Sequence, residues 1–192
     1  MSIAGVLLAA GASRRYGSEN KLLSMLHGQP LVCHAAQALR ESEASVLIAV
    51  AHAPEVAPHL HGFDRVSPGI PNPEQSDSLR AGVTRALELG ATQLVVTLAD
   101  MPFVTADLIN QVIAATTQDS PAAMTDGQRP LPPAGFPAQF FDALLALKGD
   151  RGAGQILSKS AQTALIAGSP EMLHDVDTPE AMHCARAIRD PV

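Results

Sequence analysis

The amino-acid sequence predicts one α/β domain over residues 1–192, three layers deep, with a mostly parallel sheet between two layers of helices. Two observations carry that expectation. Short, near-continuous apolar runs of strand length alternate with longer stretches of helical period. A chain of 192 residues, 46% of them hydrophobic, is also long enough to bury a core without disulfides or a structural metal.

The elements follow in order. Ile3–Ala9, Val46–Ala51 and Gln93–Leu98 read as strands, because unbroken apolarity at that length suits strands covered on both faces. Residues 76–89 read as a helix with Leu79, Val83, Ala86 and Leu87 on one face, ended by Gly90. Thr105 is placed to cap another helix whose apolar stripe is Leu108, Ile109, Val112 and Ile113. In "DTPEAM", Thr178 is the cap, Pro179 the first helical residue and Glu180 the first-turn acid. The proline-rich stretches 52–73 and 121–137 read as long loops with short strands at most.

Composition narrows the function classes. A net charge of -6, one Tyr and no Trp supply neither the basic surface nor the aromatic platforms that nucleic-acid binding needs. No run approaches membrane-spanning length. The first apolar run has no preceding Lys or Arg, the wrong polarity for a secretory signal. Cys33 and Cys184 are far apart without metal-ligand spacing, as idle thiols of a reducing cytoplasm are. His59 and His61 share a loop where solvation is their simplest role.

The chemistry concentrates at the strand ends. After Leu8, the small-residue turn Ala9-Ala10-Gly11-Ala12-Ser13 is followed by Arg14, Arg15 and Lys21. Gly11 and Gly17 do not make a dinucleotide fingerprint, and "YGSENK" is not a P-loop. Small side chains let backbone N–H groups approach a phosphate, and the cations neutralise it. An ordinary turn with solvated charges fits the spacing equally well. Asp100 ends the third strand at the same sheet edge, where open α/β sheets bind ligands. It suits either a strand-ending turn or Mg²⁺ held against a triphosphate. Asp175 and Asp177 precede the capped helix, where acids favour the N-terminus electrostatically. Ser76 stands where a plain helix cap would.

"LAAGASRRYGSENKLL" resembles the signature of the molybdenum-cofactor nucleotidyltransferases, the MobA-like NTP transferases. Leu8, Ala9, Ala10, Gly11, Ser13, Arg15, Gly17 and Lys21 match it, and Tyr16 replaces the usual Met. The resemblance implies a Rossmann-like sheet and a nucleoside triphosphate held by the turn, Arg15 and Lys21, while Arg14 falls at a variable position. It makes Asp100 of "ADMP" a metal ligand and Asp177 a candidate second one, for Mg²⁺ or alternatively Mn²⁺. Ser78 and Leu79 match the helix entrance beside the nucleotide base. Asp150 and Gly152 of "GDRGAG" resemble the acceptor side, and Gly135 and Pro137 align with a Gly-His-Pro segment whose His is Phe136 here. Ala10 and "DVDTP" resemble the cytidylyl branch. The implied reaction joins CTP to the terminal phosphate of a phosphorylated pterin cofactor, with pyrophosphate released and a molybdoenzyme as client. Transfer of a guanylyl group or onto a sugar or polyol phosphate, and a non-catalytic insertion chaperone, are the alternatives.

Overall fold

The computed structural model describes residues 2–11, 16, 20–71, 73–149 and 152–188. Its three expected strands appear with the expected bounds. They are β1 (Ile3–Ala9), β4 (Val46–Ala51) and β6 (Gln93–Leu98). Strand β1 pairs in parallel with both β4 and β6. A small antiparallel pair, β2 (Met25–Leu26) and β3 (Gln29–Pro30), stands apart from this sheet. The remaining strands are β5 (Asp64–Val66), β7 (Ala122–Thr125), β8 (Pro130–Pro137) and β9 (Ala164–Ala167). Together they give a seven-stranded sheet of order β5-β4-β1-β6-β8-β7-β9. Only β8 runs antiparallel to its neighbours. The chain thus has the predicted mostly parallel Rossmann-like architecture.

Helices cover both faces. On one side lie α1 (Leu31–Arg40), α3 (Ala106–Ala115) and α6 (Pro179–Ala187), whose apolar residues pack with Leu7, Ala49 and Val95. On the other lie α2 (Gln75–Glu88), α4 (Phe141–Leu145) and α5 (Gly154–Lys159), packed on Val6, Ile48 and Val96. Neighbouring residues of one strand feed opposite cores, so both faces must be apolar. That is why these strands read as continuous runs.

The caps behave as their chemistry dictates. Thr105 accepts from Leu108 N–H and Thr178 from Ala181 N–H, with Pro179 at the first helical position. Gly90, at φ 71°, ends α2, its N–H bonding the Leu87 carbonyl while Ala91 N–H bonds that of Ala86. Two expectations on α2 are corrected. Its cap is Glu74, in a reciprocal box with Asp77, and Ser76 lies inside the helix. The stripe omits Leu87, which is 45% exposed, while Leu79, Gly82, Val83 and Ala86 are buried towards the sheet.

The stretch 121–137 is more regular than its prolines suggest. Strand β8 is eight residues long and lies inside the sheet. It is paired on both sides only at Ala134 and Gly135. Pro132 and Pro133 fall in a bulge between the Ala123–Ala134 and Met124–Leu131 pairs, where β7 asks no N–H of them. The edges differ in character. Strand β5 is short and carries Asp64 and Arg65, whereas β9 is wholly apolar with Leu165 55% exposed.

Helix α2 approaches the sheet at Gly82, where a Cβ would stand 2.6 Å from Val6 Cγ1 and 3.2 Å from Val50 Cγ2. Gly82→Ala should therefore destabilise the protein by about 1–3 kcal/mol despite alanine's better helix propensity. Urea unfolding measures this, and a more stable variant would show that the contact yields freely.

Candidate functional site

The carboxyl ends of β1 and β6 and the start of β8 open onto one cleft of about 1300 Å³. Leu8 and Ala9 line it from the end of β1, and Ala10 and Gly11 from just beyond it. Ser78 and Leu79 line it from the first turn of α2, with Gly152 from the segment before α5. Lys21, Asp100 and Asp177 lie in the same cleft.

Local structure delivers those three side chains. Asn20 caps a single turn of 3-10 helix, its side chain accepting from Leu22 N–H, and this turn begins with Lys21. Asp100 follows β6 after Ala99, whose N–H bonds the Leu8 carbonyl. Val176, fully buried, donates its N–H to the Asp100 carbonyl at 2.9 Å and so ties the Asp177 loop to the Asp100 loop.

The Lys21 ammonium then bridges the two acids, 2.6 Å from Asp100 Oδ2 and 2.8 Å from Asp177 Oδ1. Its side chain is 8% exposed. Burial alone would lower its pKa, but the charge and hydrogen bonds of Asp100 and Asp177 outweigh that and hold it above the ordinary lysine value. The Asp100 carboxyl is raised by burial first. Lys21 offsets this in part, and Asp177 adds to it.

Asp100 Oδ1 is buried and has no hydrogen-bond partner among the described residues. A buried carboxylate oxygen without a donor is unusual. A divalent ion would satisfy it. Among the described residues no group of three or more His, Cys, Asp or Glu is arranged to hold a metal, and the carboxylates that meet at Lys21 are the pair Asp100 and Asp177. Such a pair suits Mg²⁺ or Mn²⁺ sharing its sphere with phosphate oxygens and water.

Ser13, Arg15 and Asp150 fall outside the described residues, as does Gly17. Gly135 and Pro137 do not line the cleft. A Cβ on Gly135 would sit 2.1 Å from Thr116 Oγ1 and 3.2 Å from Val112 Cγ1, so its neighbour is α3. Pro137 pairs with Gln93 at the opposite end of β6 from Asp100. Phe136, fully buried, is a core residue beside Leu94 and Phe141. Since β8 is antiparallel to β6, its beginning reaches the cleft instead, through Pro130, Leu131 and Pro132.

The sequence reading missed Glu74, Asp126, Arg129 and His174, which also line the cleft. Asp126-Gly127 between two strands is a hairpin signal that the surrounding prolines obscured. His174 carries no comparable signal. Its ring bonds the Ala181 carbonyl at 3.1 Å.

Residues 5–164 match the model of the MobA-like NTP transferase domain. The chain belongs to this family. Purine catabolism protein PucB of Bacillus subtilis is 31% identical over 95% of each chain. Molybdenum cofactor guanylyltransferase of Rhodobacter capsulatus is 35% identical over 60% of each. Among solved structures, Rv0371c of Mycobacterium tuberculosis superposes with a TM-score of 0.83 at 25% identity, over 98% of this chain and 100% of that one. Its manganese complex gives 0.79 at 24% identity, over 97% and 99%.

Two variants separate the roles of the bridge. Asp100→Asn should lower nucleotidyl transfer by about three decades or more while far-UV circular dichroism stays unchanged. Activity within tenfold of wild type would remove Asp100 from the chemistry. Lys21→Met leaves two carboxylates facing each other and should cost about 3 kcal/mol in urea unfolding. Asp100→Asn, which leaves Lys21 paired with Asp177, should cost less.

Proposed function

We propose that this nucleotidyltransferase moves CMP from CTP onto the terminal phosphate of the molybdenum-cofactor pterin and releases pyrophosphate. The observation that carries the transfer reading is the cluster of Lys21, Asp100 and Asp177, with one Asp100 oxygen unsatisfied among the described residues, beside the turn at Gly11. No described residue places an atom within 4 Å of where a Cβ would stand on Gly11, which leaves the backbone there open to a phosphate.

In the reaction, an acceptor phosphate oxygen attacks the α-phosphorus, a new P–O bond forms, and the bond to the leaving pyrophosphate breaks. Asp100 and Asp177 would hold the divalent ion, which supplies neutralisation of phosphate charge when bound. Lys21 places a permanent cation at the same point, and Arg15 would add another from the turn. The Gly11 turn offers backbone N–H groups to the phosphates. Ser78 stands at the base side. The residue is buried, and among the described residues its hydroxyl makes only a long 3.5 Å contact with the Glu74 carbonyl, which leaves it able to bond a nucleobase. Little covalent chemistry is asked of the protein, and positioning with charge stabilisation supplies the rate.

Cytidine is supported by Ala10 and by Asp175 and Asp177 in their Asp-x-Asp-Thr-Pro setting. Ala10, 6% exposed, belongs to the same packed wall as Leu79, and a methyl group there narrows the space a base can use. Guanylyl transfer is the second reading, favoured by the guanylyltransferase relative. Pyrophosphate release measured with four nucleoside triphosphates, Mg²⁺ and the pterin tests both. CTP should exceed GTP in kcat/KM by about tenfold or more, the scale of a methyl-sized steric preference, and Ala10→Gly should narrow the gap. A preference for GTP, or indifference to the base, would overturn the cytidylyl reading and leave nucleotidyl transfer intact.

A further inference from the structure

The cleft is arranged along the sheet edge in the order β1, β6, β8. The Gly11 turn stands at one end, Asp100 is in the middle, and the hairpin between β7 and β8 lies beyond it. In-line displacement puts the attacking oxygen on the side of the α-phosphorus opposite the leaving pyrophosphate. With the triphosphate on the Gly11 turn, the acceptor lies towards that hairpin. Its character therefore decides which acceptors are held.

The hairpin is pinned by its own side chains. Thr125 Oγ1 donates to the Arg129 carbonyl at 2.9 Å and accepts from Gly127 N–H at 3.0 Å. Asp126 Oδ1 accepts from the N–H groups of Gln128 and Arg129, at 2.9 and 3.0 Å. Those two bonds, more than the nearby Arg129 charge, hold the Asp126 carboxyl below its ordinary value. An exposed residue is thus fixed at its backbone, which lowers the entropy lost when its side chain engages a ligand.

Charge supplies the rest. Among the described residues, the cleft's permanent cations are Lys21 and Arg129, against Glu74, Asp100, Asp126, Asp175 and Asp177. Lys21 is engaged by two carboxylates. Arg129 makes no side-chain hydrogen bond to a described residue, although Asp126 feels its charge. An anionic acceptor entering this acidic cleft needs a cation on its own side of Asp100. Among the described residues, Arg129 is the one in place.

We infer that Arg129 is a specificity-determining residue that binds the anionic phosphate group of the acceptor, with the turn Thr125–Asp126 as its positioning device. This rests on the nucleotidyl-transfer reading above. A guanidinium fork pairs with phosphate through two parallel N–H bonds, which an ammonium cannot reproduce.

Steady-state kinetics with purified full-length protein, CTP, Mg²⁺ and the phosphorylated pterin test the assignment. Arg129→Ala should raise the acceptor KM about tenfold or more, as loss of a charged hydrogen-bond pair does, and leave the CTP KM within about twofold. Arg129→Lys should recover only part of the loss, and Gln128→Ala, exposed on the same turn, should change neither constant. CTP-dependent thermal stabilisation should be the same in wild type and Arg129→Ala. An unchanged acceptor KM in Arg129→Ala would overturn the assignment and leave the transfer reading standing. An equal rise in both KM values would also overturn it, by placing Arg129 on the nucleotide. Wild-type enzyme that used a different phosphorylated acceptor would overturn the pterin choice instead. The same KM comparison with that acceptor would then decide Arg129.

Discussion

The site depends on one buried ammonium. Lys21 is drawn to Asp100, 79 residues away, and to Asp177, 156 residues away, so three distant segments meet at a single nitrogen. Neither acid could occupy this position alone at low cost. Two carboxylates close together in a half-buried space repel, and burial already disfavours the Asp100 charge. The lysine makes the arrangement affordable, and among the described residues it leaves one Asp100 oxygen without a hydrogen-bond partner.

The surrounding fold makes this meeting rigid. Strand β1 lies between β4 and β6 in unbroken parallel register, so the turn at Gly11 and the loop at Asp100 leave the sheet side by side. The Val176 bond to the Asp100 carbonyl brings in the third segment through backbone rather than through a mobile side chain. Close packing of α2 at Gly82 fixes the depth at which Ser78 and Leu79 stand. Precision at the cleft is therefore inherited in part from packing that lies away from it, as at Gly82.

Much of this was legible in the sequence because it rests on local patterns. Continuous apolar runs marked β1, β4 and β6, and Thr105, Thr178 and Gly90 marked helix ends through their own side-chain or backbone chemistry. Lys21 and Asp100 stood beside recognisable turns and Asp177 before a capped helix, while the roles expected of them came from the family resemblance. What escaped was set by pairing between distant residues. Nothing local shows that Pro132 and Pro133 fall in a bulge, so β8 was hidden, and with it the fact that its first residues face the cleft. Gly135 looked like a ligand-binding glycine, but its reason is the closeness of Thr116. The capping box of Glu74 and Asp77 displaced Ser76 because reciprocal bonds satisfy two N–H groups where a single serine satisfies one.

The unequal edges of the sheet bear on how the protein behaves at high concentration. At β5, Asp64 and Arg65 put charge on the outermost strand, and a neighbouring chain adding there would have to desolvate it. At β9, Ala164–Ala167 has neither charge nor proline, and Leu165 is exposed. An unguarded apolar edge is a template for strand addition between molecules. Self-association on crowding or partial heating would therefore start from the β9 side, giving loss of material by precipitation well before the core at β1 loosens.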